Sequence, residues 1–153
     1  MLNYGTLGSL NNEFLVSLLK LGKIFNKENR AEKLVKFINN MIIDLKQRTK
    51  YVKNKKKVYI GGIAYKGLHD LTSTDTDFYP ANLINVINVA NYSKLKGHIF
   101  VNWEDLYIWD PDIIFIDKTS LPIIEANFQK YKERYLTLKA YKNKNVYLIF
   151  PLW

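Results

Sequence analysis

The segment Gly61 to Tyr79, GGIAYKGLHDLTSTDTDFY, gathers the densest set of side chains in this chain that could hold a ligand. Two consecutive glycines let the backbone turn sharply and let a ligand approach it closely. Tyr65, Lys66, His69, Ser73, Thr74 and Tyr79 add aromatic faces, one cation and hydroxyl groups. That mixture suits an anionic solute or a chelate-wrapped metal, held by stacking, hydrogen bonds and charge. The competing reading is an ordinary surface loop whose Ser, Thr and Asp satisfy local backbone. A phosphate-binding loop is excluded, because neither GxGxxG nor GxxxxGK[ST] is present. His69 stands next to Asp70, but adjacent residues rarely converge on one atom. The only other histidine, His98, lies far along the chain, so direct metal ligation by His69 is not expected. Asp75 and Asp77 lack the full calcium-loop pattern. No Ser-His-Asp or metalloprotease arrangement is visible, so no catalytic residue and no enzyme is read here.

The elements that must position this segment follow from hydrophobic periodicity. Val58, Tyr59 and Ile60 form a strand that ends at Gly61-Gly62. Asn102 to Asp117, NWEDLYIWDPDIIFID, reads as a short helix, a Pro stop and a strand buried on both faces. Asn102 caps the helix with Asp105 three residues on. Pro111 cannot continue the helix and pushes Asp110 toward an extended conformation. Ile113 to Ile116 is the continuous apolar run of a parallel strand covered by helices. Further short strands are expected at Ile99 to Val101 and Val146 to Phe150, and helices at 81–91, 120–130 and 131–139. Ahead of them, 12–25 and 27–51 read as helices broken at Asn26, with residues 1–11 as loop. The second helix carries a stripe of Leu34, Phe37, Ile38, Met41, Ile42 and Leu45. Strands alternating with helices imply an α/β lobe of three layers with a mainly parallel sheet, preceded by a long amphipathic helix. Open sheets of this kind bind ligands beyond the carboxyl ends of their strands. Asn102 with Trp103, Asp117 to Thr119, and Pro151 to Trp153 are therefore further candidates, Trp153 chief among the last.

Composition bounds the partners. The chain has 153 residues and 48% apolar content, enough for a folded core, and no apolar run near the length of a membrane span. No signal peptide is read at its start, and the absence of cysteine excludes disulfides and thiolate metal sites. The net charge of +9 is local: Lys20 to Lys57 holds 13 basic and 3 acidic residues, leaving 10 basic and 11 acidic elsewhere. A run of this kind on a helix is ordinarily a solvated face, so no nucleic-acid partner is expected.

Taken in order, several segments resemble the substrate-binding proteins of ABC importers for iron–siderophore, haem and cobalamin-type ligands. LGKIFNKENRAEKLVKFI is similar to the end of the first lobe running into the long helix that joins two lobes. KVYIGGIAYKGLHDLTSTDTDFYP is similar to the first strand and ligand loop of the second lobe. LINVINVAN, VNWEDLYIWDPDIIFID and LKAYKNKNVYLIFPLW resemble the segments that follow. The resemblance implies three parts: 1–26, the end of an otherwise missing first lobe; 27–56, the interlobe helix; and 57–153, the second lobe. It implies no cofactor and a metal complex as ligand: an iron chelate, haem or cobalamin. The implied partners are an ABC permease or a complementary first lobe, and the implied setting of the parent protein is extracytoplasmic. Family members often dock on the permease through a surface carboxylate, expected here near residues 90–94, yet that segment reads ANYSK. With no first lobe to cover it, the long helix could also pair with a second copy, giving a homo-oligomer.

Overall fold

A computed structural model describes residues 12–150. Residues 1–11, read as loop, lie outside them, as do Pro151 and Trp153. Two compact units are present: one runs up to Lys53 and includes Leu83–Asn85, and the other comprises Asn54–Asn82 and Val86 onward.

The first unit is a helical hairpin of α1 (Asn12–Ile24) and α2 (Glu28–Thr49). Asn26 breaks the chain as expected, in a left-handed conformation at φ 52°. The Lys27 amide then donates to Gly22 O at 2.7 Å. A Cβ on Gly22 would lie 2.6 Å from that of Ala31, so only glycine lets the helices meet here. On the stripe of α2, Ile38, Ile42 and Leu45 are half-buried, while Leu34, Phe37 and Met41 are exposed.

The second unit is α/β. Its sheet has the order β3-β1-β5-β6, all parallel: β1 (Lys57–Gly61), β3 (Ile87–Asn88), β5 (Ile113–Asp117) and β6 (Val146–Ile149). Side chains alternate across it. Tyr59, Ile114 and Ile116 join Leu71, Leu106, Trp109, Ile124, Tyr135 and Leu138 on one face. Val58 and Ile60 pack with Ala81, Ile63, Phe78 and Phe115 on the other. Both faces are covered, which is why β5 reads as an unbroken apolar run.

Helix α4 (Trp103–Trp109) carries the full capping box: Asn102 Oδ1 accepts from the Asp105 amide at 2.7 Å, and Asp105 Oδ2 accepts from the Asn102 amide. Asp110 departs from the extended conformation expected before Pro111. It closes the helix in the left-handed region at φ 39°, where its carboxylate accepts from the Lys139 amide.

Two other readings are corrected. The helix expected over 81–91 is a short α3 (Tyr79–Leu83), then β3, then a 3₁₀ turn at Val89–Ser93. Buried Asn88 makes the break. It accepts from the Ala90 amide and donates to the carbonyls of Asp75 and Thr76. The strand near residue 99 is β4 (His98–Phe100). It lies outside the parallel sheet, paired antiparallel with an unforeseen β2 (Ser73–Asp75). Helices α5 (Leu121–Lys130), α6 (Lys132–Leu136) and α7 (Lys139–Lys142) follow β5. Among the described residues, no helix is long and apolar enough to cross a membrane.

Candidate functional site

The loop that leaves β1 is pinned by its own core. A Cβ on Gly61 would lie 2.5 Å from Leu71 Cδ1 and 2.9 Å from Leu71 O, so glycine lets the returning loop rest against the strand end. Gly62 turns the chain at φ 73°. Two buried tyrosines then reach up from the core. Tyr59 Oη donates to Leu71 O at 2.8 Å, and Tyr135 Oη donates to Asp70 Oδ1 at 2.8 Å. Burial pushes both phenols well above their ordinary range, so both remain donors at any working pH. The His69 amide donates to Ser120 Oγ in the 3₁₀ turn that follows β5. The loop thus lies at the carboxyl ends of two neighbouring parallel strands.

On this frame the β2–β4 pair brings together rings that sequence distance separates. Tyr65 stacks on His98 with centroids 4.4 Å apart. His69 lies 6.4 Å from His98, and Phe100 stands edge-on to both imidazoles at 4.8 and 4.9 Å. The expectation that the two histidines stay apart is therefore corrected: Asp75 pairs with His98 in the β2–β4 register. Ser73 Oγ donates to Ile63 O at 2.6 Å and so accepts from His98 Nε2–H at 2.8 Å. His69 Nε2–H donates to Tyr65 O at 2.7 Å. In the neutral form of either ring, Nδ1 is left as the acceptor nitrogen. Lys66, at φ 53°, holds its ammonium 5.3 Å from the Tyr65 ring centroid.

Burial holds His98 below its ordinary pKa of 6.5. The neighbouring His69 charge adds to this and Asp75 opposes it. A histidine depressed in the folded state favours neutrality there, while the unfolded chain takes up its proton near pH 6.5. Its contribution to stability is complete above that pH and is lost as pH falls toward the folded value. Thermal melting is expected to drop as pH falls below about 6.5, and His98→Gln should flatten that part of the profile. An unchanged slope in the variant would assign the pH effect elsewhere.

The other expected site residues divide. Ser73 is fully buried and its hydroxyl is hydrogen-bonded to His98. Thr74, also fully buried, does not face a ligand, which corrects its place among the candidates. Tyr79 opens α3 and is half-buried. Asn102 spends its side chain on the α4 cap. Trp103 packs edge-on against Tyr135 at 4.8 Å under the Arg134 guanidinium, in a cluster with Tyr107. Buried Asp117 caps the turn after β5 through the Thr119 amide. His98 and Phe100 are the rings that sequence reasoning missed. The signal was Thr at every second position over 72–76, which marks a strand able to recruit a partner.

The arrangement is a cluster of aromatic rings with two imidazoles and one cation. Among the described residues, no group of three or more acidic or histidine side chains could hold a bare metal ion. In open sheets of this kind, ligands bind beyond the carboxyl ends of the strands, which is where this surface lies.

Residues 4–151 match the family model of the periplasmic binding proteins, and the chain belongs to that family. Its members are substrate-binding proteins of transporters rather than enzymes. No curated protein matches the chain. Among solved structures it is similar to a periplasmic solute-binding protein of Veillonella parvula, at 23% identity and a TM-score of 0.72 over 92% of this chain and 43% of that one. It is also similar to the molybdate-binding protein MolA of Haemophilus influenzae, at 18% identity and 0.71, over 95% and 46%. A third is the periplasmic heme-binding protein HutB of Vibrio cholerae, at 20% and 0.67, over 90% and 54%. The chain spans about half the length of these structures.

Proposed function

We propose that this chain is a solute-binding component of an ABC importer and that the Tyr65–His69–His98–Phe100 surface contacts the solute. It supplies one wall of the site and faces a complementary lobe, outside the cytoplasmic membrane, where a permease receives the solute. The observation that carries this reading is the ring cluster itself: four rings from two distant segments, fixed over the strand ends by hydrogen bonds from the core. The solute is a metal complex that arrives already chelated, such as a ferric siderophore. Flat rings and one lysine suit an anionic chelate better than a naked cation, which needs several protein donors. The heme and molybdate named for two similar structures mark the range of chemistry that this fold accepts.

The test is titration with a panel of ferric hydroxamate, ferric catecholate, hemin, cobalamin and molybdate, read by tryptophan fluorescence and melting temperature. One ferric chelate is expected to raise the melting temperature, and Tyr65→Ala or His98→Ala to weaken it by about tenfold or more. Silence across the panel would reject solute binding by this lobe, and a response to hemin or molybdate alone would replace the siderophore.

A further inference from the structure

The end of α2 and the residues after it, Lys46 to Lys56, read KQRTKYVKNKK and contain six cations and no acid. All six are exposed. Earlier in α2 the charges are mixed: Glu28, Arg30, Glu32 and Lys33 stand within six residues. Mixing of that kind keeps a helix soluble, and a pure run is different. Among the described residues, the ion pair touching this run is Arg48 with Asp44 at 2.9 Å, itself open to water. The run also displays Tyr51, 80% exposed, and Val52, 41% exposed, with the Lys50 ammonium 5.3 Å from the Tyr51 ring centroid.

We propose that Lys46 to Lys56 docks on an anionic lipid bilayer. The cations sit at the headgroups, and Tyr51 enters the interfacial layer where amphipathic rings gather. Charge alone would also fit nucleic acid. A lone tyrosine flanked by an aliphatic residue, with lysines rather than arginines around it, favours the lipid interface over a base-stacking groove. Five of the six cations are lysine, whose long apolar stems let the charge stay in water while the segment settles.

Co-sedimentation of the full chain with equimolar phosphatidylglycerol–phosphatidylcholine vesicles tests this. Binding is expected at low salt, falling steeply as salt approaches about 0.5 M. It should be absent from phosphatidylcholine alone. Lys50→Gln, Lys53→Gln and Lys55→Gln together should weaken it by about a hundredfold with the melting temperature unchanged. Tyr51→Ser should lower the salt-resistant remainder. Equal binding to neutral vesicles, wild-type binding by the triple variant, or no binding at low salt would each overturn the proposal. So would tighter retention by duplex DNA than by the anionic vesicles, which would identify a nucleic-acid surface.

Discussion

Tyr135→Ala is expected to cost about 3–5 kcal/mol of folding stability, the range for deleting a fully buried large aromatic side chain. The ring is fully buried between Trp103, Phe128 and Tyr141, with centroids 4.8, 5.4 and 5.4 Å away. Those neighbours come from α4, α5 and α7, so no single element can move in to fill the space. Tyr135→Phe separates the second role of the residue. It keeps the ring and removes the hydrogen bond to Asp70, leaving that carboxylate with the Leu71 amide as its other donor. Loss of a donor to a charged group costs about 1–3 kcal/mol. The loss is expected to be local: amide exchange over 63–72 should quicken, and the solute binding proposed above should weaken in step. Denaturant melts with exchange measurements check both. A Phe variant with wild-type loop protection would show that the hydroxyl does not hold the loop.

Gly61→Val is the second large effect, expected at about 3 kcal/mol, the upper end for overpacking a filled site. A single Cβ already meets the side chain and carbonyl of Leu71, and the Tyr59 ring at 2.9 Å. Valine adds two methyl groups into the same space. Strand β1 is central and pairs on both sides, so it cannot slide away from the clash. The loop must lift instead, which breaks the bond from Tyr59 Oη to Leu71 O. Calorimetry should record the lower melting temperature. The same variant should lose the Tyr65–His98 stack, visible as a changed histidine titration by NMR. A normal titration beside a lowered melting temperature would mean that strand and loop are uncoupled.

Local signals made part of this molecule legible. The run Ile113 to Ile116 is unbroken because both faces of the sheet are covered. Asn102 and Asp105 state the α4 cap directly, and Asn26 marks the hairpin. The misreadings arose where distant partners decide. Leu83, Ile84, Val86, Ile87 and Val89 carry helical spacing, yet Ile87 pairs with Lys57 and the Asn88 side chain donates through Nδ2 to the carbonyls of Asp75 and Thr76. Tertiary hydrogen bonds outweigh periodicity in a segment this rich in β-branched residues. Half of the ring cluster was visible because Tyr65 and His69 share one loop. The other half was hidden because β4 pairs backward onto β2, a register that no local pattern announces. Thr74 looked like a donor to ligand because hydroxyl chemistry is visible in sequence while burial is not.

The two core tyrosines grip the loop after β1 by a main-chain carbonyl and by Asp70, and neither bond ends on the rings of Tyr65, His69, His98 or Phe100. Frame and contact surface are therefore separable in heredity. Tyr65, Lys66 or Phe100 can change one at a time without disturbing the bonds that set the shape of the loop. If the surface binds solute as proposed, recognition can drift in single steps, each intermediate still folded. It also offers a ready graft point, since new recognition can be selected by randomising the outward rings while the tyrosine anchors stay fixed.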